Sequence, residues 1–79
     1  MINEFLEENI EKKLNDFVSF VELRRRYLSF CKFYKIEPVS RNQFAFDLSK
    51  HDVGNPGQKY IDHRNKHGRH NIRLLPCKY

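Results

Sequence analysis

Val18-Ser19-Phe20-Val21-Glu22-Leu23 and Val39-Ser40-Arg41-Asn42-Gln43-Phe44 carry the same device twice. In each, a Ser stands three residues before a Glu or Gln, the spacing of a capping box. An apolar residue precedes the Ser and another follows the Glu or Gln, as in a hydrophobic staple. Two helix starts about twenty residues apart fix the frame of this chain.

From Ser19 the pattern runs on as a helix to about Tyr34, with Leu23, Tyr27, Phe30, Cys31 and Tyr34 as one apolar stripe. Pro38 ends that segment, because the residue before a proline is pushed away from helical angles. From Ser40 a further helix is expected, with Phe44 and Leu48 one turn apart and facing the core. The short connection from Tyr34 to Ser40 is that of a helix-turn-helix. Upstream, Ile2, Phe5, Leu6, Ile10 and Leu14 fall at helical spacing, which predicts a first helix from about Asn3 to Leu14. Leu14–Val18 then links to the second helix, with room for a short extended piece. Downstream, His51–Gln58 reads as a loop broken by Gly54, Pro56 and Gly57. Lys59–His63 and Asn71–Leu75 read as strands, joined through a turn at Asn65-Lys66-His67-Gly68. The expectation is therefore one domain over residues 1–79: mainly α with a small β-hairpin, a winged helix-turn-helix with three helices followed by a basic wing.

At 79 residues there is room for one core only, and seven Phe and four Tyr supply much of it. No stretch matches a membrane span or a signal peptide, so a cytoplasmic location is expected, in the host cell if the source is a virus or phage. Two cysteines do not make a disulfide scaffold, and Cys31 falls on the apolar stripe as a buried free thiol. The net charge of +5 is unevenly placed. Residues 1–22 hold six acids against two lysines, net −4, and residues 23–79 hold thirteen Lys and Arg against four acids, net +9. Such polarity suits a basic face turned toward a polyanion.

The third helix is the natural reader of DNA, since the second helix of a helix-turn-helix pair enters the major groove. Its outer side offers Arg41, Asn42, Ala45, Ser49 and Lys50, and Ser40 with the helix N-terminus can hold a phosphate. The hairpin adds Lys59, Arg64, Lys66, Arg69 and Arg73 as contacts to the backbone. Arg24-Arg25-Arg26 points in three directions on a helix, so it reads first as a solvated face and second as a backbone contact. His63, His67 and His70 raise the alternatives of a zinc site with Cys77 or an HNH-type nuclease. No carboxylate-rich cluster or paired close-spaced ligands accompany them, so no metal, no cofactor and no catalytic residue is expected. Gly54-Asn55-Pro56-Gly57 lacks the Gly-Lys-Ser/Thr of a phosphate loop.

Leu23, Tyr27, Phe30 and Cys31, then Pro38, Val39, Ser40, Phe44 and Leu48, then Asn71-Ile72-Arg73-Leu74 form a pattern over nearly the whole chain. It resembles the C-terminal domain of phage, plasmid and poxvirus-type primase-helicases. Asn71 stands where that family often has Gly, His70 where an aromatic is common, and the loop His51–Gln58 is irregular. The resemblance implies a DNA-binding domain that accompanies a superfamily-three helicase motor, in the same or a partner chain, in the replication of a virus, phage or mobile element. Two rival readings are a free-standing transcriptional regulator and a protein-interaction module that docks a replication partner through Glu4, Glu7, Glu8 and Glu11. Neither a small-molecule substrate nor a membrane is an expected partner.

Overall fold

A computed structural model describes residues 2–79. The elements run α1 (Ile2–Asn9), β1 (Ile10–Ser19), α2 (Phe20–Tyr34), α3 (Arg41–Lys50), β2 (Asn55–Ile61) and β3 (Arg64–Leu74). The three strands form one antiparallel sheet in the order β1-β3-β2. Strand makes up 36% against 42% helix, which overturns the expectation of a mainly α domain with a small terminal hairpin. The molecule is a small α+β domain, with three helices packed on a three-stranded antiparallel sheet.

The difference begins at Asn9. The first helix stops there, not at Leu14. Asn9 is fully buried, its Nδ2 donates to the Phe5 carbonyl at 2.9 Å and to the Tyr79 hydroxyl at 2.7 Å, and its own carbonyl accepts from Leu75 N–H at 2.8 Å. These bonds to the far end of the chain divert the backbone out of the helix. Ile10 and Leu14 fit a helical period, but Ile10 pairs with Leu74 and Leu14 is left 76% exposed. The pairing is regular at both ends of β1 and irregular between Lys12 and Phe17. Opposite that excursion Asn71 adopts φ 66°, a left-handed conformation that Gly or Asn accepts most readily. Its side-chain oxygen accepts from Asn15 N–H at 3.0 Å and closes the excursion. The kink at Asn71 also brings Arg69 and Ile72, three residues apart, to the buried face.

The hairpin is longer than the sequence pattern implies. Residues 55–58, read as loop, begin β2, and Pro56 is accommodated because β2 is an edge strand. The turn is Asp62-His63, both at positive φ (51° and 63°), as a two-residue type I′ connection requires. Asn65–Gly68, read as the turn, lies inside β3. Gly68 is needed there for space: a Cβ would lie 2.7 Å from Phe17 Cζ and 2.8 Å from Ser19 Cα.

Both predicted helix starts are present. Ser19 Oγ accepts from Glu22 N–H at 3.2 Å and donates to the Glu22 carboxylate at 2.9 Å. Ser40 Oγ accepts from Gln43 N–H at 3.1 Å, while the Gln43 side chain turns to Asp47 instead of completing the box. Leu23, Tyr27, Phe30, Cys31, Phe44 and Leu48 share one core with Phe5, Val18, Val53 and Ile72. Tyr34, read as part of the stripe, is exposed, and its hydroxyl donates to Glu8 at 2.8 Å. Tyr27 stacks on Phe44 at 4.6 Å and its hydroxyl accepts from Val39 N–H at 3.1 Å, which pins the connection between α2 and α3. Among the described residues no helix is long and apolar enough to cross a membrane.

Candidate nucleic-acid interface

The last pair between β1 and β3 is Ser19 with Gly68, and β1 then turns into α2. Residues 64–67 of β3 therefore overhang the end of β1 and pair only with β2. Their free edge faces the first turn of α2 and the start of α3. The space between is a groove of about 620 Å³ lined by Ser19–Glu22, Arg25, Arg41 and residues 64–67. Four cations, Arg25, Arg41, Arg64 and Lys66, converge on it from three elements. The one acid, Glu22, is occupied by the Ser19 hydroxyl. Arg41 lies over the ring of Phe20, 5.5 Å from its centroid, so the aromatic wall holds a guanidinium at the groove mouth.

Register sets the rest of the basic surface. Lys59 pairs directly with Lys66, and Arg64 is two residues from Lys66 on the same face. Like charges directly opposite on one face of a sheet repel, an arrangement that an anion relieves. Lys59 also lies 6.0 Å from the Phe17 ring centroid. The opposite face of the hairpin carries Gln58, Tyr60, Asn65, His67 and Arg69. Arg69 departs from its expected role as an exposed phosphate contact. It is 7% exposed, and its guanidinium donates to Ser49 Oγ at 2.7 Å, which ties β3 to α3. Burial pulls its pKa down from the ordinary arginine value. Arg73 lies at the other end of β3 and pairs with Glu11 across the β1–β3 ladder.

The third helix presents Ser40, Arg41, Asn42 and Lys50 to solvent, with Ala45 half-buried and Ser49 held by Arg69. The arginine triplet divides three ways. Arg26 donates to the Leu75 carbonyl at 2.7 Å, Arg24 stacks over Tyr27 and Phe44, and only Arg25 joins the groove. By its sequence the triplet is a solvated face first and a backbone contact second, and what Arg25 faces depends on where β3 ends. Phe46, at the middle of α3, is 62% exposed, and no local sequence signal marks it as a surface ring. His63, His67, His70 and Cys77 are spread out: His70 packs on Phe17 at 4.8 Å, and among the described residues no three His, Cys, Asp or Glu come together. His70 thus serves as an aromatic partner in the sheet.

Glu8, on the acidic first helix, lies elsewhere. Glu8 meets Tyr34, the last residue of α2, while the groove adjoins the first turn. Fifteen helical residues put about 20 Å between the two ends. The Tyr34 hydroxyl, and then Lys78 at 3.1 Å, hold the Glu8 carboxyl below the usual carboxylate range. No protein-family model matches the chain, and no curated protein or solved structure does.

Proposed function

We propose that the chain is a DNA-binding domain without catalytic activity of its own, which holds the phosphate backbone in the groove between the hairpin and the N-terminal ends of α2 and α3. The observation that carries this is the convergence of Arg25, Arg41, Arg64 and Lys66 on one groove, about a helix length from the acidic end. Arg41 and Asn42, exposed in the first turn of α3, are the side chains placed to meet base edges. Ser40, Lys50 and Lys59 flank them as further backbone contacts. The resemblance to the primase-helicase C-terminal domain gives a context: a replication protein of a virus, phage or mobile element, acting beside a helicase motor.

The test is fluorescence anisotropy of labelled DNA over a range of salt. Four phosphate contacts predict a log–log slope of about −3 to −4 and about a hundredfold loss of affinity between 50 and 200 mM salt. Arg25→Ala, Arg41→Ala, Arg64→Ala and Lys66→Ala should each weaken binding and flatten the slope by about one unit. Glu7→Lys, at the other end, should leave affinity unchanged or raise it. Absence of binding to any DNA at low salt refutes the reading.

A second reading, a protein-interaction module, is favoured by one feature. Phe33 and Tyr34 are half-exposed and pack on Tyr79, and Tyr34 adjoins Glu4 and Glu8. Retention of a protein partner with no affinity for DNA would promote it.

A further inference from the structure

Phe46 on α3 is 62% exposed and Tyr60 on β2 is 64% exposed, each a large ring open to solvent. Phe44 and Leu48 point α3 into the core, so Phe46 stands near the opposite side of the helix, between Asn42 and Lys50 one turn away on either side. Ser49 adjoins Phe46 on that surface, and Ser49 is bonded to Arg69. Arg69 shares its face of the hairpin with His67, Asn65 and, directly across from Asn65, Tyr60. The Arg69–Ser49 bond therefore joins the outer ridge of α3 and this hairpin face into one surface, whose edge, through Asn65 and His67, is the wall of the basic groove.

We propose that Phe46 and Tyr60 are stacking platforms for unpaired bases, so that the strand held in the groove is single-stranded. This rests on the DNA-binding reading above and specifies its ligand. Charge complementarity chooses the occupant: Lys50 is one turn from Phe46, and Asn65 and His67, which share the face of Tyr60, line the groove on which Arg25, Arg41, Arg64 and Lys66 converge, a setting that draws a polyanion. Bases in a duplex have their faces stacked on one another and offer only edges and thymine methyls to a phenyl ring. Unpaired bases offer a face of the size of Phe46 or Tyr60, and such stacking is tolerant of sequence.

The test compares a single-stranded oligothymidylate of about 20 nucleotides with a duplex of equal length, by anisotropy at fixed salt. Phe46→Ala and Tyr60→Ala should each weaken single-strand binding by about tenfold while duplex binding changes by less than about twofold. Neither removes a charge, so the salt slope should stay as it was. Both rings are more than half exposed, and thermal melts of the variants verify the fold. Phe46→Trp should retain affinity, and its fluorescence should be quenched when oligothymidylate binds. Single-strand affinity unchanged in both alanine variants, equal loss on single strand and duplex, or no quenching of the Trp overturns the stacking role. If Arg41→Ala and Arg64→Ala still weaken binding in that case, the DNA-binding reading stands and only its single-stranded ligand is lost. If they do not, the DNA-binding reading falls with it.

Discussion

Replacing Asn71 by alanine separates two things that this residue does. It holds φ at 66° opposite the excursion of β1, and its side chain accepts from Asn15 N–H at 3.0 Å. A left-handed conformation costs an ordinary L-residue about 1–2 kcal/mol, and Asn less. The bond contributes about 0.5–1.5 kcal/mol. Asn71→Ala loses both and should destabilise by about 1.5–3 kcal/mol, or about 10 °C in Tm for a domain of this size. Asn71→Gly loses the bond but not the conformation, and should stay within about 1 kcal/mol of the parent. The measurement is urea unfolding followed by far-UV circular dichroism, with the two variants side by side. If glycine destabilises as much as alanine, or alanine costs less than about 0.5 kcal/mol, the left-handed backbone is not what position 71 supplies.

Leu48→Ala, at a fully buried position of α3, should cost about 2–5 kcal/mol in the same assay, and a loss below about 0.5 kcal/mol would contradict the packing. Both cap replacements should fall within about 0.5–2 kcal/mol, with Ser19→Ala costing more than Ser40→Ala because Ser19 is buried and makes two bonds to Glu22; equal losses would argue against that difference. Glu8 has its pKa lowered in the folded state, so its contribution is present above its unfolded pKa and lost as pH falls through the folded value. Glu8→Gln should therefore lower Tm at neutral pH and converge with the parent in acid, and a constant difference at all pH values would refute the Tyr34 and Lys78 contacts as its cause.

The parts of the fold legible in the sequence are those with local signals. Ser19 with Glu22 and Ser40 with Gln43 announce their helices within four residues, and the spacing of Leu23, Tyr27, Phe30, Phe44 and Leu48 gives the core. β1 is invisible by the same logic. Ile10 and Leu14 satisfy a helical period, and what makes Ile10 a strand residue is Leu74 beside it. The turn is not legible because Asn65-Lys66-His67-Gly68 carries stronger turn chemistry than Asp62-His63, yet Gly68 is required against Phe17 and Ser19. For the site, Arg41, Arg64 and Lys66 could be named from composition and position. Arg25 and the burial of Arg69 could not, since both depend on how far β3 overhangs β1.

The β1–β3 ladder pairs Ile10 with Leu74 and Ser19 with Gly68. During synthesis β1 leaves the ribosome about fifty residues ahead of the strand it needs, and pairings so distant in sequence form more slowly than local ones. In that interval the apolar residues of β1 are without their sheet. Because β3 is the central strand, the sheet is complete only when β3 pairs with both β1 and β2. Its pairing closes the core through Ile72 and positions Arg64 and Lys66 across from Arg25 and Arg41. A nascent chain that has not reached β3 has neither its sheet nor its groove.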